Sequence, residues 1–344
     1  MKLMKTEDAV GQVLCHDITQ IIKGVTKDAV FRKGHIITKE DIPVLLSVGK
    51  EHIYIWEKDE HMLHENEAAQ ILYEMCRNEH MHPSDVKEGK IELIADCDGL
   101  FKVDREKLRK VNSLGEMMIA TRHGNTFVKK GDKLAGTRII PLVIEKEKME
   151  RAKEICNDGS ILEIKPLQPK KAAILTTGSE VYHGRIQDKF TPVLVEKLKE
   201  YGSEVIFHEI YDDDHEAITK GCLSAIEQGA EIVLCTGGMS VDPDDKTPLA
   251  IKNTGARIVS YGAPVLPGAM FLVSYYEYKD KTIPIVGLPG CVMYAKRTIF
   301  DLALPRLLAD DFITEEELAL LGEGGLCLNC PVCTYPNCGF GKGW

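Results

Sequence analysis

The sequence predicts an α/β domain built on a parallel sheet, preceded by smaller α+β and β-rich parts. Three observations carry that expectation. Short apolar runs alternate with amphipathic stretches between residues 170 and 309. Two of those runs end directly in glycine turns, Thr176-Thr177-Gly178-Ser179-Glu180 and Thr236-Gly237-Gly238-Met239-Ser240. Soon after each turn stands an aspartate and then a Thr-Pro step: Asp188 before Thr191-Pro192, and Asp245 before Thr247-Pro248. Alternation of this kind argues for parallel strands joined by helices.

Ala172 to Thr176 is an apolar run closed by a glycine turn and reads as a buried strand. Thr191 is expected to cap the next helix, with Pro192 at its first position. Leu194, Val195, Leu198 and Tyr201 share one side of it, and Gly202 ends it. Val205 to Ile210 follows as a strand. Asp214 is expected to cap a helix whose apolar side carries Ile218, Cys222, Leu223 and Ile226, closing near Gly229. Glu231 to Thr236 and Ile283 to Gly287 are further strands, the second running into Leu288-Pro289-Gly290. Ligands of such sheets bind beyond the carboxyl ends of the strands, where all three turns stand. Glycine lets a ligand approach the backbone, and N–H groups there can cradle phosphate oxygens. One such turn usually only reverses the chain. Three in one domain, two of them trailed by aspartates, point to an anion-binding pocket.

The order of these motifs resembles the molybdopterin-binding domain of molybdenum-cofactor biosynthesis proteins, from about residue 170 to 309. The likeness is carried by Thr177-Gly178-Ser179-Glu180, Gly184-Arg185-Ile186-Gln187-Asp188, Thr236-Gly237-Gly238-Met239-Ser240, Asp245-Lys246-Thr247-Pro248 and Gly287-Leu288-Pro289-Gly290. Two branches of the family are blended. The Gly-x-x-x-Asp and Asp-x-Thr-Pro elements are similar to the branch that adenylylates molybdopterin. The Thr-Gly-x-Glu, Gly-Gly-x-Ser and Leu-Pro-Gly elements are similar to the branch that inserts molybdate.

The resemblance implies a three-layer domain with a parallel or mixed sheet. It implies that Thr177, Gly178, Ser179, Glu180, Thr236, Gly237, Gly238, Ser240, Pro289 and Gly290 surround the pterin and its phosphate. It places Asp188 and Asp245 at the reacting end with Mg²⁺, which carboxylates can hold against phosphate oxygens. The implied activity is hydrolysis of adenylylated molybdopterin with molybdate insertion. The alternative is a non-catalytic molybdopterin carrier or sensor that delivers cofactor to a molybdoenzyme. Read from the residues alone, both aspartates also suit helix capping near a helix dipole.

The insertion branch follows Pro-Gly with Asn-Pro, where this chain has Cys291-Val292-Met293. That exchanges an amide for a thiol near the pocket, although Cys291 reads equally as a small buried hydrophobe. The Asp-Gly-Tyr-Ala segment of that branch has no counterpart, since Asp17-Ile18-Thr19 runs into Gln20-Ile21-Ile22-Lys23-Gly24.

A chain of 344 residues has room for several domains. The sequence divides into an α+β element at 1–58, a helical connector and β-rich domain at 59–168, the α/β domain at 169–310 and a cysteine-rich metal-binding tail at 311–344. Thr38, with Asp41 three residues on, is expected to start a short helix ending at Gly49, followed by a strand from His52 to Trp56. His61, His64, His80 and His82 fit no zinc-protease pattern and are read as part of a charged helix and its turn. Alternating stretches from Gly89 to Ile144, with Met117-Met118 packed inside, predict a small β-rich domain. Glu145 to Asn157 is expected as a polar helix, and Pro166 to Pro169 as a linker.

A net charge of −10 disfavours a nucleic-acid partner. No apolar run is long enough to span a bilayer, and Met1-Lys2-Leu3-Met4 begins no signal peptide, so a cytoplasmic protein is expected. Relatives of the fold are commonly oligomers, which makes a homo-oligomer the expectation. The eleven cysteines read as reduced thiols or metal ligands rather than disulfides.

Cys327, Cys330, Cys333 and Cys338 follow a C-x2-C-x2-C-x4-C spacing. Two successive short gaps let one loop offer three thiolates to one centre, as in iron–sulfur ligation. A four-cysteine Zn²⁺ knuckle is the other metal reading beside a [4Fe–4S] cluster, and a tail of unligated thiols is the remaining one. With so few apolar residues the tail is expected to order only around a metal.

Overall fold

The computed structural model of the protein describes residues 2–22, 26–55 and 59–343. They gather into two compact units. One holds the chain up to Asp96 with Val103–Arg122 and Lys130–Glu163; the other holds Cys97–Lys102, His123–Lys129 and the chain from Ile164 onward.

In the first unit, Lys2–Lys5 pairs antiparallel with His52–Ile55. The expected end of that strand, Trp56, lies outside the described residues, as do Lys23 and Gly24. The short helix is Asp41–Ser47. Its start is tied by the Asp41 carboxylate, which accepts from the Thr38 N–H at 2.8 Å, and no side-chain cap comes from the other direction. A four-stranded sheet follows in the order Met81–Pro83, Ile91–Ala95, Lys133–Ile139, Met117–Thr121. The polar helix expected before the linker is Lys146–Ile155.

His64 caps the helix Glu65–Cys76 in a complete capping box: its ring accepts from Asn66 N at 3.2 Å, and Glu67 accepts from His64 N at 3.0 Å. His82 pairs with Asp96 at 2.6 Å, and His80 faces Glu79 at 3.4 Å. His64 thus serves a helix start and His80 the turn that follows, whereas His82 stands in the strand Met81–Pro83 rather than in the expected helix and turn.

The α/β domain of the second unit is built from β1 (Lys171–Thr177), α1 (Phe190–Lys199), β2 (Glu204–Tyr211), α2 (His215–Glu227), β3 (Ile232–Thr236), α3 (Thr247–Asn253), β4 (Arg257–Tyr261), β5 (Leu272–Tyr278), β6 (Lys281–Leu288), α4 (Ile299–Leu308) and α5 (Glu315–Leu320). The sheet order is β2-β1-β3-β6-β5-β4. The first four strands are parallel, and β5 and β4 complete the sheet antiparallel.

Strand β1 is buried from Ala172 to Thr177, as its apolar run requires. Apolar residues fill both faces of the sheet. On one face Ile174 and Leu234 pack with Leu194 and Leu198 of α1 and Phe300 and Leu304 of α4. On the other Leu175 and Val233 pack with Ile218, Cys222 and Ile226 of α2 and Ile251 of α3. The result is a three-layer α/β/α domain with a mixed sheet. Each fully buried Leu or Ile contributes about 1.5–3 kcal/mol of transfer free energy, so packing rather than propensity holds these short helices.

Two helix starts differ in how far they match expectation. Asp188, not Thr191, caps α1: its Oδ1 accepts from Phe190 N at 2.8 Å and Thr191 N at 3.0 Å. Thr191 sits one residue inside the helix and turns its hydroxyl back to Asp188. An Asp placed just ahead of a Thr reaches the same N–H groups and accepts more strongly because it is charged. Asp214 caps α2 as expected, accepting from Glu216 N at 2.9 Å and Ala217 N at 3.4 Å.

The tail is docked on this core through two aromatics. Phe340 is 4% exposed and shares the cluster of Leu304 and Leu308. Tyr335 donates to Asp301 O at 2.9 Å beneath the Arg297 guanidinium, which lies 5.1 Å from its ring. These two side chains tie the tail to the α/β core. No helix among the described residues is long and apolar enough to cross a membrane.

Candidate functional site

The carboxyl ends of β2, β1, β3 and β6 form one edge. Thr177 is level with Tyr211, and Thr176, Thr236 and Leu288 lie in adjoining register. All three glycine turns therefore stand side by side, with the Asp212-Asp213 step after β2 as a fourth member. From β1 the chain leaves toward β2, and from β3 it leaves toward the opposite edge. That reversal is the switch point at which open α/β sheets bind ligands.

The two turns flanking the switch point are locked together. Gly237 has φ +83°, and a Cβ there would collide with the Thr177 carbonyl oxygen. The Thr247 hydroxyl donates to Gly237 O at 2.9 Å. With that proton committed, the Thr177 hydroxyl donates to Thr247 Oγ1 at 3.0 Å. Thr247 N also donates to Gly238 O at 3.2 Å. The Tyr261 hydroxyl on β4 holds the far side of the turn, donating to Met239 O at 2.8 Å.

Donor groups are distributed unequally. In the first turn Gly178 N donates to Tyr211 O at 3.2 Å and Ser179 N to Asp213 Oδ2 at 3.0 Å, so both are already used. Among the described residues, the N–H groups of Gly237, Gly238 and Ser240 meet no acceptor. The second turn is thus the one with donors to offer an anion. Thr236, 0% exposed, carries a buried hydroxyl without a hydrogen-bond partner among the described residues. Such an orphan costs about 1–3 kcal/mol, and a bound group or water commonly satisfies it.

The carboxylates also differ. Asp188 is saturated: besides the two helix N–H groups it accepts from the Thr191 hydroxyl at 2.6 Å and the Thr176 hydroxyl at 2.9 Å. Those bonds use the roughly four lone-pair sites of a carboxylate. Burial alone would push its carboxyl up, but the bonds from Thr191, Thr176 and Phe190 outweigh burial and hold it below its ordinary value. Asp245 is half-buried, and its Oδ2 accepts from Asp242 N at 3.4 Å.

Asp213 shifts the other way. Burial pushes it up, Ser179 N–H opposes this, and Asp212, Glu180 and Asp245 add to the rise. The rim is therefore rich in negative charge. Sequence reasoning missed Asp213 and Tyr261. The signal for Asp213 was the run Asp212-Asp213-Asp214 at a strand end, of which only the last has the setting of a helix cap.

At the third turn Pro289 is buried and Gly290 exposed, with nothing close to Gly290. Cys291 is half-buried, and burial pushes its thiol up, which makes it a poor nucleophile. Cys327, Cys330, Cys333 and Cys338 all line a single cavity of about 500 Å³. Among the described residues, no group of three or more Cys, His, Asp or Glu side chains is placed to hold a metal ion.

Residues 173–309 match the family model described as a probable molybdopterin binding domain, and residues 3–57 match a domain of unknown function. A molybdopterin adenylyltransferase of Pyrococcus furiosus is 27% identical over 135 residues, covering 39% of this chain and 76% of that protein. A molybdopterin molybdenumtransferase of Nostoc sp. is 26% identical over 196 residues, covering 55% of this chain and 44% of that protein. A putative competence-damage inducible protein of Bacillus subtilis is 32% identical over 89 residues, covering 26% of this chain and 21% of that protein. The chain thus spans less than half the length of the last two. Among solved structures, the tungsten cofactor synthesizing protein MoaB of Pyrococcus furiosus superposes with a TM-score of 0.35 at 19% identity, covering 42% of this chain and 97% of that one. Residues 173–309 carry a molybdopterin-binding domain of the family found in molybdenum-cofactor biosynthesis.

Proposed function

We propose that the protein binds molybdopterin or its adenylylated form across the crevice between the β1 and β3 turns. There it would hydrolyse the adenylylated form, with Mg²⁺, as molybdate is inserted. The observation that supports this is the second turn itself: three N–H donors and a buried Thr236 hydroxyl, all without partners among the described residues, at the switch point of the sheet. The donors would take the phosphate, and Thr236 would satisfy itself on the ligand or a water it orders.

The rim fits a divalent cation. Asp213, raised first by burial and then by Asp212, Glu180 and Asp245, stands among carboxylates whose charge a cation would relieve, and magnesium prefers oxygen ligands. Asp245 with Glu180 would hold it, and the ion would neutralise phosphate charge. Asp188, its oxygens already occupied, would position the β1 turn through Thr176 rather than bind the metal. The tail thiols are proposed as ligands of a metal, an iron–sulfur cluster or zinc. The same reading makes the protein a cytoplasmic homo-oligomer that passes its product to a molybdoenzyme.

Turnover tests the proposal. Protein supplied with adenylylated molybdopterin, Mg²⁺ and molybdate should release AMP and form metallated pterin. Asp245→Asn should lower that rate by about two orders of magnitude, the scale of removing one electrostatic group from a reacting centre. An undiminished rate would remove Asp245 from the mechanism. Tight binding with no product would instead favour the carrier or sensor. Cys291 at the position of the missing amide, and the saturation of Asp188, are the observations on that side.

A further inference from the structure

Residues 324–341 carry no charged side chain, although 28% of the chain is charged. Core strands lack charge because they are shut away from water. This stretch lacks it at the surface, and 328–334 is exposed throughout. Leu326, Leu328 and Val332 are each more than half exposed, Leu328 at 78%. Tyr294 follows the 3-10 turn Gly290–Met293, is 77% exposed, and lines one groove with Leu326 and Leu328. Leu266, bridged to Leu326, is also more than half exposed and extends the patch. Contiguous exposed apolar surface of this kind marks an interaction site.

The patch is held in shape by the chain itself. Cys327 N donates to Leu266 O at 2.8 Å, Leu266 N to Gly325 O at 2.8 Å and Gly341 N to Gly324 O at 2.9 Å. Phe340 and Tyr335 pin the leaving side to the core. In the middle of the exposed part, the Lys296 ammonium donates to the Pro331 carbonyl at 3.2 Å. Beside Tyr294, Ala295 N donates to Cys291 O at 2.9 Å. Little ordering remains to be done on contact, so the entropic cost of association there is small.

Resting on the homo-oligomer reading, we propose that this patch is the contact between two copies of the chain related by a twofold axis. Charge selects the occupant. Each chain carries a net −10, so two copies repel across most of their surfaces. An uncharged patch is where two such chains can meet without burying like charges against each other. A cationic partner would find its complement on the carboxylates elsewhere and not here. Interface cores are depleted in charged residues and enriched in aromatic ones such as Tyr294. At the edge, Lys296 lines the groove, and exposed Glu323 immediately precedes the uncharged run. A twofold contact is reciprocal, so Lys296 of each copy can answer Glu323 of the other.

The test is sedimentation equilibrium of the full chain over a dilution series, with reductant present so that exposed Cys330 and Cys333 cannot crosslink. The expected species has twice the mass of one chain. Leu328→Asp and, on a separate element, Tyr294→Asp should each weaken the dimer by about a hundredfold, the scale of losing one interface hot spot. Both side chains stand in water in the single chain, so the circular dichroism of each variant should match the wild type. Raising salt from about 0.05 M to about 0.5 M screens the repulsion between the chains and should leave the dimer as tight or tighter. A dimer that both variants retain would overturn this surface and leave the homo-oligomer reading standing. A dimer that dissociates as salt rises would overturn the uncharged contact. A wild-type monomer would overturn both readings and leave the patch to a different protein.

Discussion

Gly237→Ala is expected to destabilise the α/β domain and to lose the proposed pterin site together. The position sits at φ +83° with its missing side chain pointing at the Thr177 carbonyl oxygen. A left-handed alanine costs about 1–2 kcal/mol. Making room for the methyl group costs about 1–3 kcal/mol more, because the obstacle is backbone and cannot rotate away. Relief can come only by parting the two turns, which breaks the Thr247–Gly237 and Thr177–Thr247 hydrogen bonds. Chemical denaturation should show a loss of about 2–5 kcal/mol, the sum of those two costs. Pterin affinity, measured by titration below the unfolding transition, should fall by more than tenfold. A variant with unchanged stability would show that the turns are not in contact as described; one with lost stability and unchanged affinity would place the ligand elsewhere.

Asp311→Ala is expected to cost about 3–5 kcal/mol, the scale of leaving buried charge uncompensated. Asp311 is 7% exposed and accepts from Arg306 Nε at 2.6 Å, Lys102 Nζ at 2.8 Å and Lys165 Nζ at 2.9 Å. Burial alone would raise its carboxyl, but Arg306, Lys102 and Lys165 outweigh burial and hold it at about 2. Lys102 shifts down too, through burial and then Arg306, despite its pairing. The carboxylate's direction is the one that follows from three cations around one anion; the lysine's reflects the surplus of positive charge. Removing Asp311 leaves Arg306 with Glu317, which accepts from its Nη2 at 2.9 Å on both carboxylate oxygens.

The same site has an acid signature. An unfolded aspartate titrates near 3.9, so the stabilisation is fully present above about pH 4 and is lost as pH falls toward 2. Its size is about 2–3 kcal/mol, since lowering a carboxyl's pKa by one on folding is worth about 1.36 kcal/mol. Asp311→Asn should flatten the wild-type loss of stability between about pH 4 and pH 2. An unaltered acid limb would show that other carboxylates govern it.

The alternation of β1, α1, β2, α2 and β3 was legible because each strand is a short apolar run and each helix an amphipathic one. Both middle helices were delimited to within a few residues. The strands β4 and β5 were not read, because Gly262, Pro264, Pro267 and Gly268 between them break the pattern into pieces too short to carry a period. The capping of α1 was ambiguous for a local reason: Asp188 and Thr191 both suit the role, and only geometry shows which oxygen meets the N–H groups. Asp213 was illegible for a distant one, since its partner Ser179 lies 34 residues away on another strand end. The docking of the tail rested on two aromatics in a stretch whose composition suggested no core at all.

The hydroxyls of Thr177 and Thr247 close the floor of the crevice with the chain's own atoms. A floor assembled in this way is preorganised: it does not wait for a ligand to bring β1 and β3 together. Immobilising a side chain on binding costs about 0.5–1.5 kcal/mol, and that cost falls on the exposed rim from residue 241 to 244 rather than on the floor. Recognition of the ligand's shape and response to its charge are thereby placed on different parts of one turn, so that either can change in sequence without unmaking the other.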